Sequence, residues 1–169
     1  MIYFLMEQKD EKAKEVLLKF SDILSHQLYD YNKDYVDLNK EIEYLENYIE
    51  LQKMRHDEEV LDLKYNLPKQ NGDLKIAPML LIPFVENAFK HGSNSTGFMV
   101  KIELKFEEDT LQFETQNTFN PNKKSNHKVG GIGQKNVKRR LELMYPDQYD
   151  LDIRNDKKIL HATLKIKLR

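Results

Sequence analysis

The 169 residues include no cysteine. That excludes disulfides, thiolate zinc sites and a cysteine nucleophile, and it fits a reducing compartment. No apolar run approaches the roughly 20 residues a helix needs to cross a bilayer. The apolar start IYFLM does not read as a signal peptide, because it is too short and runs straight into dense charge. The net charge is −1, which offers no general attraction to nucleic acid or to an acidic membrane surface. Internal repeats are absent. What remains is 40% hydrophobic and 33% charged residues, a foldable composition long enough for one fair-sized domain, or for a compact domain with a smaller helical piece. Met1 leads into Ile2, Tyr3, Phe4, Leu5 and Met6 with no N-cap residue ahead. This start reads as the cut end of a helix, and the chain as a fragment of something longer.

The most informative stretch is Ile76 to Gly92, IAPMLLIPFVENAFKHG. Phe84, Val85, Ala88 and Phe89 repeat at helical spacing and predict a face packed on a core. Glu86, Asn87, Lys90 and His91 share the other face, with Asn87 and Lys90 about one turn apart. An amide oxygen beside a carboxylate suits a hydrated cation such as Mg²⁺, and an ammonium one turn on suits a phosphate. An ordinary buried helix with a polar end has the same spacing. Gly92 is a fitting left-handed stop.

The period changes along the rest of the chain. Ala13, Val16, Leu17, Phe20, Leu24, Leu28 and Tyr31 predict an amphipathic helix, with Asp10 as its cap. Leu38, Ile42, Leu45, Ile49 and Gln52 predict a second helix, running to about His56. Its seam fits either a coiled-coil-like partner or one wide core face within the chain. Val60 to Leu67 fits a strand, Gly97 to Phe106 and Leu111 to Thr115 an antiparallel pair, and Tyr149 to Arg154 and Ile159 to Leu168 two closing strands. Asn117 to Lys128, NTFNPNKKSNHK, has no periodicity and reads as a mobile loop. Gly130, Gly131, Ile132 and Gly133 open a further helix with Val137, Leu141 and Met144 on its apolar face. The whole is an α+β sandwich behind a helical segment.

Three features can share one ligand. They are the Asn87/Lys90 face, the glycine turn entering a helix whose free amides favour anions, and a loop carrying Lys123, Lys124, His127 and Lys128. A metal-binding asparagine, a phosphate-cradling turn and a basic lid together point to a nucleoside triphosphate with Mg²⁺. Taken singly, a tight turn and a solvated loop explain the glycines and lysines as well.

IAPMLLIPFVENAFKHG, QNTFNP and GGIGQKNVKRRLELMYP resemble the N, G1 and G2 boxes of the Bergerat-fold ATP-binding domain. The chain is most similar to sensor histidine kinases of the LytS/YehU family. KFSDILSHQLYDYNKDYVDLNKEIEYLENYIELQKMRH resembles that family's dimerisation segment, so the resemblance covers nearly the whole chain. It implies a Bergerat-type sandwich with a mixed sheet at 58–169, behind a helical segment at 1–57. It implies Asn87 as the Mg²⁺ ligand and Lys90 as a phosphate contact, with Glu86 and His91 beside them. Asn117 falls at the adenine-reading position, Gly131 and Gly133 in the phosphate turn, Asn136 at the start of the helix beneath the phosphates and Lys124 in the lid. It further implies a homodimer through the N-terminal helices, a response regulator as partner, and a cytoplasmic portion of a membrane-anchored bacterial sensor.

The pattern departs in places. Asn117 stands where an aspartate usually reads the adenine amino group, so that hydrogen bond lacks charge assistance. Gln134 follows Gly133 where leucine is usual. Pro83 occupies the position of the water-activating glutamate of hydrolysing relatives, which favours a kinase over an ATPase. The family's acceptor histidine lies in an Asn-Pro-His-Phe motif ahead of a segment like IYFLM, and none of the five histidines here replaces it. The expected function is therefore the ATP-binding core of a histidine kinase whose acceptor lies upstream. The alternative is a non-catalytic nucleotide-responsive interaction module of the same fold.

Overall fold

The computed structural model describes residues 10–30, 33–56, 59–70, 72–92, 97–118, 132–156 and 158–168. Helix α1 (Asp10–Asp30) precedes a two-residue strand β1 (Val36–Asp37) and helix α2 (Leu38–Lys53). Asp10 is already helical. The Asp37 carboxylate caps α2 by accepting the Asn39 N–H at 2.8 Å. Asn39 then exchanges a reciprocal pair of hydrogen bonds with the Gln70 backbone, both 2.9 Å, which pins the start of α2 to the loop after the next strand.

Strands β2 (Leu61–Asn66), β4 (Phe98–Glu107), β5 (Thr110–Thr118), β6 (Tyr149–Asp156) and β7 (Ile159–Lys167) form a five-stranded sheet in the order β2-β4-β5-β7-β6. The short β3 (Lys75–Ile76) pairs with β1 apart from it. The sheet is mixed: β2 lies parallel to β4, and every other neighbour is antiparallel. A parallel pair needs a crossover. Helix α3 (Ile82–Gly92) lies on that crossover and packs on β4 and β5. Helix α4 (Ile132–Met144) joins β5 to β6 and touches α3.

Alternation sets the inner face. Phe98, Val100, Ile102 and Leu104 on β4, and Leu111, Phe113 and Thr115 on β5, are buried. The other face is polar, with Glu103 held by Lys101 and Lys105 at 3.2 Å each. The predicted strands are all present. β5 runs further than expected, however, to Thr118, because Asn117 pairs across to Val100 and Leu160 on both sides. Asn117 and Thr118 therefore belong to the sheet and not to the loop.

Leu38, Ile42, Leu45 and Ile49 of α2 are 0–1% exposed and belong to the same core cluster as the sheet and α3. The seam of α2 thus takes the second of its two readings, a core face within the chain. Helix α1 departs from its expected apolar stripe. Ala13, Val16 and Ile23 are buried where it rests on α2, whereas Leu17, Phe20, Leu24 and Leu28 are exposed. One neighbour covers one side of a helix, and the side with Leu17, Phe20, Leu24 and Leu28 stays uncovered.

Because α2 shares its core with the sheet, Ile42→Ala should cost about 2–5 kcal/mol and lower stability in one cooperative transition. Denaturant unfolding followed by circular dichroism checks this. A loss below about 1 kcal/mol, or a separate early transition for the helices, would contradict the shared core.

Candidate functional site

Helix α3 starts where the chain turns sharply at Pro78 to Leu81. Pro83 sits in its first turn, where a missing N–H costs nothing. Phe84, Val85, Ala88 and Phe89 are buried as the spacing predicts. The Phe84 ring meets Phe113 of β5 edge-on at 6.2 Å, and Phe89 meets Tyr48 of α2 at 6.5 Å. With that side fixed between sheet and α2, Glu86, Asn87 and Lys90 take the other side. Glu86 and Lys90 are exposed and Asn87 is half-buried. Much of Glu86 remains in solvent, yet desolvation of its carboxyl pushes its pKa up, against the opposing pull of the Lys90 ammonium one turn on. His91 lies in the last turn of the helix.

The second component comes from the inner row of β5. Asn117 continues the line Leu111, Phe113, Thr115 and is only 2% exposed. Its amide Nδ2 donates to the Thr118 carbonyl at 3.0 Å. Among the described residues, no donor to its Oδ1 is recorded. A buried amide oxygen on a row otherwise filled by apolar side chains and one threonine is costly unless something donates to it. An exocyclic amine from a bound base is a donor of the right chemistry.

The third component is the start of α4. The helix begins at Ile132, so Gly133 lies within its first turn, where backbone N–H groups lack intrahelical acceptors. Asn136 is exposed on the same helix, one turn further along. Contact between α3 and α4, and between α3 and β5, brings Asn87, Lys90, Asn117 and Asn136 onto neighbouring elements. Gly131 and Lys124 lie outside the described residues. Among the described residues there is no cluster of three or more His, Asp or Glu side chains fit to hold a metal. A Mg²⁺ at Asn87 would therefore draw most of its oxygens from a phosphate chain and water, as Mg²⁺ commonly does.

Two residues that support this site escaped the sequence reading. Glu41 of α2 is fully buried, and its carboxyl oxygens accept the Met79 N–H at 3.0 Å and the Leu81 N–H at 3.4 Å. Tyr145, just past α4 and 1% exposed, accepts the Ala77 N–H at 2.8 Å. Together they hold the turn that launches α3. Glu41 left a visible signal: it stands three after Leu38 and four before Leu45, inside the apolar stripe of α2. A charge in that position is either an error of pattern or a buried partner for something.

The sheet and its helices have the fold of histidine kinase catalytic domains. The chain superposes on the histidine kinase domain of the blue-light activated kinase of Erythrobacter litoralis EL346 with a TM-score of 0.58 at 11% identity, covering 99% of this chain and 84% of that one. It superposes on the catalytic domain of histidine kinase ThkA with a TM-score of 0.52 at 17% identity, covering 79% of this chain and 93% of that one. Residues 1–60 match the histidine kinase family model. The sensor protein kinase HptS of Staphylococcus aureus (strain USA300) is 30% identical over 103 residues, 61% of this chain. The chain is thus similar to sensor histidine kinases, and the matched stretch spans 20% of the length of HptS. No helix among the described residues is long and apolar enough to cross a membrane.

The Tyr145 hydroxyl has a measurable signature. Burial, opposed by the Ala77 hydrogen bond, pushes its pKa from 10.0 up to about 12. Between those values the native state holds a proton that the unfolded chain has lost, so stability is intact below pH 10 and falls as the pH rises toward 12. Tyr48 and Tyr65, also raised to about 12, act in the same direction. Tyr145→Phe should flatten this alkaline loss and, near neutral pH, cost about 1–3 kcal/mol by orphaning the buried Ala77 N–H. Denaturation across the alkaline range checks both. An unchanged slope with unchanged stability would contradict the assignment.

Proposed function

We propose that this chain is the nucleotide-binding core of a sensor histidine kinase of the LytS/YehU kind. It would bind Mg·ATP and deliver the γ-phosphate to an acceptor histidine outside these 169 residues. The observation that carries this reading is Asn117, a buried amide on the inner row of β5, on a strand packed against the helix that bears Asn87 and Lys90.

Each residue has a task that follows from its chemistry. The Asn117 Oδ1 accepts the adenine amino group, and the surrounding apolar row excludes water from that hydrogen bond. Asn87 offers an amide oxygen to Mg²⁺, whose role when bound is to neutralise charge on the phosphates. Lys90 places an ammonium against the phosphate chain, and Glu86, held near it, limits how far that lysine swings. The first turn of α4, with Gly133, points free N–H groups at anionic oxygens, and Asn136 lines the same end. Gly131, Lys124 and His91 extend the phosphate contacts. Phosphoryl transfer needs little more from a protein than such positioning and charge stabilisation. Residues 58–169 carry these groups, and the helical segment 1–57 belongs to the dimerisation and acceptor region, whose histidine lies upstream. The parent is a membrane-anchored bacterial sensor with this portion in the cytoplasm, acting on a response regulator.

The test is nucleotide binding followed by transfer. Calorimetry should give a micromolar-to-millimolar Kd for Mg·ATP, about −4 to −8 kcal/mol, and Asn87→Ala should remove its dependence on Mg²⁺. A chain extended upstream to include the acceptor should label itself with acid-labile phosphate, and Asn87→Ala or Lys90→Ala should abolish the label. Equal affinity of wild type and Asn87→Ala with and without Mg²⁺ would overturn the metal assignment. ATP binding without transfer in the extended chain would favour the non-catalytic module.

The uncovered side of α1 supports a homodimer. Leu17, Phe20, Leu24 and Leu28 are 42–71% exposed along one helix, an apolar stripe of the sort that marks an interaction surface. Leu24→Glu combined with Leu28→Glu should convert a concentration-dependent dimer to monomer in sedimentation while nucleotide binding persists. A wild type that stays monomeric at high concentration would contradict this.

A further inference from the structure

We infer that Glu41 is a positioning residue that ties helix α2 to the entry of α3 and so sets the attitude of the Asn87–Lys90 face. The consequence for nucleotide rests on the function proposed above; the mechanical tie stands on the geometry alone.

A carboxyl group in an apolar core is costly unless its oxygens are hydrogen-bonded. At position 41 a leucine would complete the stripe of Leu38, Ile42, Leu45 and Ile49. The glutamate uses both oxygens on backbone donors of one turn instead: Oε2 takes the Met79 N–H and Oε1 the Leu81 N–H. That turn does not hold itself. Met79 has φ 55, in the left-handed region that side chains other than glycine adopt at a cost. A fixed acceptor on the Met79 N–H offsets that strain and selects this one conformation. On the other side of the turn Tyr145 accepts the Ala77 N–H, so donors two residues apart are clamped from α2 and from the end of α4.

A rigid helix magnifies small changes at its start. Asn87 lies six residues beyond Leu81, about 9 Å along the axis, so a tilt of about 10° at the turn moves it by about 1.5 Å. Displacement of about 1 Å at a reacting site can cost about 100-fold. α2 makes a second contact with α3 where Tyr48 meets Phe89, the residue before Lys90. Because α2 grips α3 at its entry and near its end, α3 follows α2. α2 in turn packs against α1, the helix with the uncovered apolar face.

Glu41→Gln keeps the size but sets an NH₂ against one of the two backbone donors. We compare it with Leu45→Ala, a fully buried residue of the same helix with no bond to the turn. ATP is titrated with Mg²⁺ and with EDTA, adenosine is titrated alone, and amide hydrogen exchange is followed at Met79 and Leu81. Glu41→Gln should weaken Mg·ATP by about 10-fold or more, leave adenosine within about 2-fold, and speed exchange at both amides by about 10-fold. Leu45→Ala should lower Tm and leave the Mg²⁺-to-EDTA affinity ratio unchanged. The inference is overturned if both variants give the same ratio, or if exchange at Met79 and Leu81 in Glu41→Gln matches the wild type. A wild type that binds no nucleotide would sink the proposed function. The exchange arm would then decide the tie by itself, with fast exchange at the two amides supporting it and native exchange refuting it.

Discussion

Helix α3 is held between two surfaces, and the candidate site exists because it is. Phe84 presses on the sheet, Phe89 presses on α2, and these two and Val85 are no more than 6% exposed. Burying side chains of this size contributes about 1.5–3 kcal/mol each. A helix fixed on that side by apolar contact has only one way to present Glu86, Asn87 and Lys90. The same helix is the crossover that makes β2 and β4 parallel, so sheet topology and site geometry are one constraint. Loosening α3 would therefore disturb the sheet edge and the polar face together.

The strands were legible because a two-residue period survives any packing context, and Phe98 to Phe106 and Leu111 to Thr115 alternate cleanly. The face of α3 was legible for the same reason at the helical period. Less was legible where a polar residue breaks a period. Asn117 looked like the start of a loop because it is an asparagine before a run rich in Asn, Pro and Lys, yet strand pairing on both sides keeps it in β5. Glu41 stood out in its stripe, but its partners did not, because the Met79 and Leu81 amides are far away in sequence and carry no side-chain signal. In α1 the period was right and the burial was not. An amphipathic pattern says which residues avoid water, but not whether this chain or another covers them. Here Ala13, Val16 and Ile23 are covered and Leu24 and Leu28 are not.

The polar positions that interrupt apolar rows are also those to which the proposals here give a task. Asn117 interrupts the inner row of β5 and Glu41 the stripe of α2, and both are nearly or fully buried. Local rules fail where a site is being built. On the function proposed, an asparagine where the resemblance implies an aspartate keeps an acceptor oxygen for a base amine while removing a buried charge. The nucleotide-free protein would then avoid the cost of desolvating a carboxylate, at the expense of a weaker grip on adenine. The proposed kinase core, holding nucleotide loosely and relying on metal and phosphate contacts at Asn87 and Lys90, is consistent with that trade.

The most direct measurement replaces Mg²⁺ with Mn²⁺ in the presence of a non-hydrolysable ATP analogue and maps paramagnetic broadening of the amide spectrum. Because broadening falls steeply with distance from the ion, it locates the metal without any assay of transfer. The result expected is broadening centred on Asn87 and the adjoining turns of α3, fading across β5, and absent at the far hairpin of Glu107 to Thr110. Broadening centred away from α3, or the same faint pattern with and without the nucleotide analogue, would contradict the site described here.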